Sequence, residues 1–469
     1  MIIKKLLAVI LVFIPALFTH CVHNANSIFI PVTLITGVPS SGTVGTVLLD
    51  GTVCPENASK KNVLWSVKND LGTGAVILNN ALSVIKPGMV TLTATVAGGS
   101  GVNEDYMQDF QITITENESG APPNDDLLSA LRFVKDLGVG INIGNTLDCI
   151  GTFEWTAGET GWGNPRITQD FIKALKNYGY STIRLPVTWA ENIGPAPDYA
   201  ITTVWMNRVE EVVNWILGED MHCILNLHHD GGDSDRSWIK DIGKPGKETE
   251  ITGMFIKVWQ QIASRFANAS DLLILEAMNE VGFDSQPAAE AYRLINKLNQ
   301  TFVDTVRAAG FANADRYLLV SGYWTDIDRS CDSLYKMPQD TAKNRLILSV
   351  HYYTPSIFCI AEKTDNSWGF RADWGSISTL ASDTGELNTQ FNKLKNNYLS
   401  KNIPVIIGEY GVTFTNKVPE GRVRWMTAVT KICLDNGICP VLWDTGGEIG
   451  RSAPFAMKDS LKNVWASLY

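Results

Sequence analysis

Positive charge is scarce in this chain of 469 residues. Lys and Arg number 39 against 49 Asp and Glu, a formal net charge of −10. A nucleic-acid partner wants a basic patch, and this balance excludes that class. Histidine is rare too, with six in the whole chain. No C-x-x-C pair occurs among the eight cysteines, which removes the usual spacing for structural zinc. No H-E-x-x-H occurs either, and adjacent histidines such as His228 and His229 point to opposite faces of a strand, so they chelate poorly; no catalytic metal and no cofactor are expected. Long apolar runs are missing after the first twenty residues, so no membrane span is expected. What is present is 45% hydrophobic residues with 19% charged, the composition of a folded globular protein. Its length calls for two or three domains. Fourteen tryptophans are many, and most of them serve as core packing in any reading.

The chain opens with Met1-Ile-Ile-Lys-Lys, then an uncharged stretch from Leu6 to Phe18, then Thr19-His20-Cys21. A basic start and a short apolar run describe a secretory signal over residues 1–21. The product is then secreted or held at the outer cell surface. Cys21 is a candidate lipid anchor, although His20 stands where a small residue is normal. Of the other seven cysteines, Cys331 and Cys359 fall in consecutive loop regions; they either pair or remain free thiols, and export permits both.

Residues 27–116 carry strand-like runs at Ile28–Ile35, Val44–Val53, Val63–Val67, Met89–Val96 and Phe110–Thr115, punctuated by Gly, Pro, Asn and Ser. Such spacing suits a small all-β sandwich. Trp65 and the segment Lys86-Pro-Gly-Met-Val-Thr-Leu-Thr-Ala give it a resemblance to bacterial Ig-like domains, which implies a spacer or a sugar-binding module. Residues 117–126 are polar with Pro and Gly, a linker. From residue 127 to 469 the pattern changes to short apolar runs separated by helical stretches. The runs are Gly138–Ile143, Ser181–Leu185, Met221–Leu227, Leu272–Met278, Tyr317–Val320, Leu346–Val350, Val405–Ile407 and Ile438–Leu442. Eight strand-then-helix repeats imply a closed (β/α)8 barrel, a TIM barrel, whose functional residues sit at the carboxyl ends of its strands.

Two glutamates occupy such ends. Glu280 closes Leu272-Leu-Ile-Leu-Glu-Ala-Met-Asn-Glu280, and Glu409 closes Ile403-Pro-Val-Ile-Ile-Gly-Glu409. Two carboxylates that converge from distant strands are what hydrolysis of a glycosidic bond needs. Glu276 shares a strand face with Glu280 but lies ~13 Å deeper at ~3.3 Å per residue, where it is placed to hold neighbours by hydrogen bonds. Arg184 is suited to keep a carboxylate nucleophile ionised, since a nearby cation lowers a carboxyl pKa. Asn279, beside Glu280, offers a hydrogen bond to a sugar hydroxyl. His228, His229, His351 and Tyr353 follow other apolar runs, so three of the four histidines outside the leader sit at strand ends. Trp443 ends the last run and offers a flat face to a sugar ring.

Together Gly140-Ile-Asn-Ile-Gly-Asn-Thr-Leu-Asp148, Thr160-Gly-Trp-Gly-Asn-Pro165, Ile183-Arg-Leu-Pro-Val-Thr-Trp189, Leu227-His-His-Asp230, Met278-Asn-Glu280, His351-Tyr-Tyr353 and Gly408-Glu409 resemble glycoside hydrolase family 5, in its endo-β-1,4-glucanase and xyloglucanase branch. The resemblance implies retaining, endo-acting hydrolysis of a β-glucan: cellulose, xyloglucan or mixed-linkage glucan, with mannan the alternative substrate. A non-catalytic sugar-binding surface protein is the competing class. The resemblance makes Glu280 the general acid/base and Glu409 the nucleophile, supported by Arg184. It places Asn279, His228 and Tyr353 around the sugar at the cut, with His351 beside the acid/base. Trp443 would stack on the sugar to the non-reducing side, lined also by Asn145, Asp148 and His229. Val281 stands where the family pattern often has Pro. A monomer is expected.

Overall fold

The computed structural model describes residues 29–49, 51–78, 81–101, 104–115, 126–151, 158–232 and 234–468. The leader, Cys21 and residues 117–125 of the expected linker lie outside them. Among the described residues no helix is long and apolar enough to cross a membrane.

The N-terminal segment is all β. A four-stranded sheet built on the long hairpin Gly88–Gly101 and Glu104–Thr115, a three-stranded sheet and a two-stranded ribbon make it up. Val47, Leu82, Val90, Leu92 and Ile112 share one of its apolar clusters. The strand expected over Val44–Val53 is in fact two, Gly45–Leu48 in the three-stranded sheet and Thr52–Cys54 in the ribbon. Gly51 sits at the break, and a Cβ there would come within 2.8 Å of the Trp65 ring. Strands Val76–Leu78 and Ala81–Val84 escaped the sequence reading, because runs this short show no period.

The second segment is the expected barrel. Its strands are β1 (Gly140–Ile143), β2 (Thr182–Leu185), β3 (His222–Asn226), β4 (Leu273–Glu276), β5 (Leu318–Ser321), β6 (Leu346–Tyr352), β7 (Val405–Tyr410) and β8 (Cys439–Asp444). They close in sequence order, all parallel, with β1 pairing β8. Strands covered on both faces read as continuous apolar runs, which is why the sequence shows them. Helices follow between them. In Gln169–Asn177, Thr168 caps the start by accepting the Phe171 N–H at 3.2 Å, and Phe171, Ile172 and Leu175 are buried. The barrel interior begins with an apolar layer that includes Ile224, Ile274, Leu319, Ile347, Ile406 and Val441. Val134 and Leu137, from α1 (Asp126–Asp136) and the residue after it, complete that layer. Phe133 of α1 stacks on Tyr317, just before β5, with ring centroids 3.6 Å apart. The barrel is therefore floored by the helix that precedes it.

All seven cysteines among the described residues are free, so Cys331 and Cys359 do not pair. Cys359 ends the short helix Ser356–Cys359 and is buried, its carbonyl accepting Thr413 N–H at 2.9 Å.

Candidate active site

Above the apolar floor the next inward side chains are polar and buried, and Arg184 on β2 is their hub. Its Nε donates to Glu276 Oε2 at 2.6 Å, Nη1 to Glu409 Oε1 at 2.7 Å and to Asn142 Oδ1 at 3.0 Å, and Nη2 to Asn279 Oδ1 at 2.8 Å. Burial opposes its charge, but Glu276 and Glu409 outweigh burial and hold the guanidinium above its ordinary range. Glu276 also accepts from Ser349 Oγ at 2.7 Å and has no exposed surface. It is the supporting carboxylate that its depth implied.

Glu409 reaches the interior through a register fault. Ile406 faces inward and Ile407 outward, so strict alternation would turn Glu409 away from the barrel. Val350 of β6 pairs with Ile407, yet its neighbour His351 pairs with Glu409, leaving Gly408 as an extra residue. This bulge re-aims Glu409 inward. Only glycine fits, since a Cβ on Gly408 would lie 2.9 Å from Ser349 Oγ and 3.2 Å from His351 Nε2. Asn142 Nδ2 holds the Gly408 carbonyl at 2.9 Å.

Glu280 lies beyond the end of β4, with 41% of its side chain exposed to the cleft. Its Oε1 is 2.8 Å from His351 Nδ1, which is 3.6 Å from Glu409 Oε2. One oxygen of each carboxylate and a His351 nitrogen all fall within 4.8 Å of one another. Tyr353 O–H donates to Glu409 Oε2 at 3.1 Å. Burial lifts the Tyr353 phenol well above its ordinary range, as do the charges of Glu409 and Glu280, so it remains a donor.

Burial pushes both carboxyls up. At Glu280 the His351 hydrogen bond and the charges around it, Arg184 among them, together outweigh burial and hold the carboxyl below the ordinary glutamate range. At Glu409 burial and the charge of Glu280 outweigh His351 and Arg184, and the carboxyl is raised. Within this pair the permanent cation Arg184 donates to Glu409 and not to Glu280, which favours the negative charge on Glu409.

The other expected residues gather on the same rim. Asn226 accepts Val187 N–H at 3.2 Å, so its amide nitrogen is the donor to His228 Nδ1, also at 3.2 Å. His228 Nε2 is then an N–H, a donor to a hydroxyl and not a metal ligand. The trio Asp148, His228 and His229, whose ligand-type atoms lie within 4.8 Å, is for that reason poorly suited to a cation. Burial holds His228 well below the ordinary imidazole range and lowers His229 to about 4, so both are neutral. His228 stacks on Trp443 with centroids 5.5 Å apart and planes 6° from parallel. Asp148 accepts the Asn145 and Thr146 N–H groups at 3.1 and 2.7 Å, folding the loop after β1.

His228, His229, Asn279, Glu280, Tyr353, Glu409 and Trp443 line one cleft of about 530 Å³. A second hollow of about 470 Å³ shares Glu280 and Tyr353 with it and adds His351 and Trp324. A larger hollow of about 640 Å³ between Asp198 and Arg265 holds no facing carboxylates, so volume does not choose the site. Sequence reasoning singled out neither Asn142 nor Trp324. Trp324, with φ of 53°, follows β5 and crowds Gly282, where a Cβ would lie 2.0 Å from its Nε1. Trp443 directly follows its run, but Trp324 lies four residues beyond the end of the run Tyr317–Val320, too far to be read as part of a strand end.

Comparison with known proteins adds an independent line. The family model for cellulase (glycosyl hydrolase family 5) matches residues 147–448. Endoglucanase B of Clostridium cellulovorans is 37% identical over 345 residues, covering 72% of this chain and 73% of that protein. The xyloglucan-specific endo-beta-1,4-glucanase of Bacteroides ovatus is 31% identical over 379 residues, covering 76% and 73%. A solved GH5-4 broad specificity endoglucanase from an uncultured bovine rumen ciliate superposes with a TM-score of 0.64 at 34% identity, covering 72% of this chain and 96% of that one.

Proposed function

This chain belongs to glycosyl hydrolase family 5, and from that premise we propose that it cuts internal β-1,4 linkages of glucans by two displacements at the anomeric carbon. Glu409, ionised beside Arg184, attacks the carbon while Glu280 gives its proton to the departing oxygen. The bond to the leaving sugar breaks and a Glu409 ester forms. That ester removes the charge facing Glu280, which now takes a proton from water. The water oxygen attacks the same carbon, Glu409 leaves as carboxylate, and the product keeps its starting configuration.

The observation that carries this reading is the Glu280–Glu409 pair joined through His351, with carboxylate oxygens within 4.8 Å. A retaining pair stands ~5–5.5 Å apart, whereas an inverting pair leaves ~6.5–9.5 Å for a water between them. Arg184 and Tyr353 support the nucleophile. Asn279 and the His228 N–H serve the sugar at the cut, and Trp443 stacks on the sugar to its non-reducing side, with Asn145, Asp148 and His229 nearby. The similar proteins are named for endoglucanase and xyloglucan-specific activity, which makes cellulose and xyloglucan the leading substrates.

We also read residues 1–21 as an export signal and 27–116 as an Ig-like spacer joined by 117–126 to the catalytic barrel at 127–469. The enzyme then works outside the cell, as a monomer, anchored if Cys21 is lipidated.

The test is reducing-end release from xyloglucan, carboxymethylcellulose and mannan, by wild type and by Glu409→Ala, with NMR of the first-formed anomer. Cleavage of a β-glucan with a β product and a loss of at least ~10³-fold in the variant is expected. An α product excludes the double displacement. Cleavage of mannan alone moves the substrate to the mannanase alternative.

A further inference from the structure

The two hollows at the strand ends meet, and Glu280, Tyr353 and Ile360 line both of them. Glu280 and Tyr353 have tasks in the scheme above; Ile360 has none. A glucan chain that passes from one hollow to the other brings its scissile bond to Glu280, so Ile360 flanks the cut. Ile360 is 50% exposed, although Phe358 and Cys359 just before it are buried. An aliphatic side chain at such a point offers bulk and no hydrogen bond.

The segment that carries Ile360 is firmly held. Ile360 follows the short helix Ser356–Cys359, whose last carbonyls have no partner within the helix. Ile357 O accepts Arg371 N–H at 2.8 Å, and Cys359 O accepts Thr413 N–H at 2.9 Å. Lys417, in the loop after β7, closes the arrangement. Its Nζ donates to Arg371 O at 2.8 Å and makes a longer contact with Ile357 O at 3.4 Å. The ammonium lies 4.2 Å from the ring centroid of Phe370 and 5.5 Å from that of Phe358, within the range of a cation–π contact. Lys417 is only 8% exposed, a degree of cover rare for lysine. Its neighbours repeat the tie: Asn416 Nδ2 donates to Glu362 O at 2.8 Å, and Val418 N–H to Ala372 O at 2.9 Å. The loop after β6 is thereby fastened to the loop after β7. A bulky group on a free loop would yield to a substrate, whereas one held in place discriminates by the clash it makes with the wrong one.

We propose that Ile360 is a specificity-determining wedge beside the scissile bond, and that Lys417 is the positioning residue that holds it. The wedge admits a bare glucosyl unit at the carbon that Glu409 attacks and turns away a unit carrying a branch sugar. The proposal rests on the glucanase reading and deepens it for glucans such as xyloglucan, which bear branches on some units and not on others.

The experiment digests xyloglucan with wild type, Ile360→Ala, Lys417→Met, Lys417→Arg and Phe370→Leu. Sequencing of the fragments by mass spectrometry reads whether each new reducing end carries a branch. Wild type leaves bare ends. Ile360→Ala raises the share of branched ends by about tenfold, the scale on which a pocket discriminates by a methylene or two. Lys417→Met relaxes the pattern in the same way, Lys417→Arg retains it, and the double variant with Ile360→Ala goes no further, because Lys417 acts through Ile360. Phe370→Leu removes one ring from the ammonium and gives a smaller relaxation; it decides the matter if Lys417→Met does not fold. Unchanged ends in these two variants, with stability alone reduced, remove the positioning role. An unchanged share in Ile360→Ala, or branched ends already common in wild type, overturns the wedge and leaves the glucanase reading intact. If wild type cuts unbranched gluco-oligosaccharides and not xyloglucan, Ile360→Ala gains xyloglucan cleavage, and no gain overturns the wedge equally. A wild type silent on every glucan removes both.

Discussion

Arg184 Nη1 donates to Glu409 Oε1 at 2.7 Å, with side-chain exposures of 0% and 7%. The same guanidinium holds Glu276 at 2.6 Å, so one cation serves two buried carboxylates. Arg184→Met leaves both unpaired. Breaking a buried pair costs on the order of 3–5 kcal/mol, read as a fall in unfolding free energy in a denaturant titration. Turnover falls by at least ~10²-fold, the scale of losing one preorganised charge partner. A variant with normal melting and normal turnover would show that Glu409 needs no cation.

Glu280→Gln keeps the side chain's shape but has no proton to give. Polysaccharide hydrolysis falls by ~10²–10⁴-fold, the usual worth of a positioned acid. An aryl glucoside whose phenol departs unaided loses far less in its first step, and phenol appears as a burst while the Glu409 ester accumulates. Equal losses on both substrates would remove the acid role from Glu280.

Asp148 has no exposed surface, and burial lifts its carboxyl to about 6 against the lowering by the Asn145 and Thr146 N–H groups. Asp230 is raised to about 6 for the same reason. In the unfolded chain both titrate near ~3.9. Between these values the folded state binds more protons than the unfolded one, so stability falls as pH rises from about 4 through 6 and is level above it. Melting temperature measured from pH 4 to 7 should decline across that window. Asp148→Asn should flatten the decline, and an unchanged slope in the variant would place the titration elsewhere.

Gly408→Ala tests the bulge. The added Cβ presses on Ser349 Oγ at 2.9 Å and His351 Nε2 at 3.2 Å, and these side chains are held by Glu276 and Glu280 respectively. Displacement by a fraction of an ångström at the carboxylate pair lowers kcat by up to ~10²-fold, with little change in KM. Stopped kinetics on one soluble substrate separate the two constants. A raised KM with kcat intact would mean that the bulge shapes binding and not chemistry.

The barrel was legible because its strands, covered on both sides, are short runs dominated by Val, Ile and Leu that recur eight times between helical stretches. Glu280, Glu409, His228, His229 and His351 stood out as polar side chains at the ends of such runs, and Arg184 as a lone cation within one. The bulge was not legible. Gly408 was visible as a glycine, but period-two alternation from Ile406 gives Glu409 the wrong face, and only the pairing of β6 with β7 corrects it. Trp324 and the Lys417 tie were hidden for a similar reason: they are partnerships between loops and helices far apart in the chain. The split of Val44–Val53 between two sheets falls beside Gly51, which packs against Trp65, a residue outside that run.

The helix α1 supplies Val134 to the barrel's floor, with Leu137 just behind it. It begins at Asp126, and the last described strand of the all-β segment ends at Thr115. A shortened enzyme must therefore start no later than residue 126. Trimming to the first barrel strand at Gly140 would remove no residue of the cleft and still admit water to the base of the barrel, where Ile224, Ile274 and Ile406 now meet in a dry layer. The position of that cut, far from any sugar, separates a usable catalytic fragment from an insoluble one.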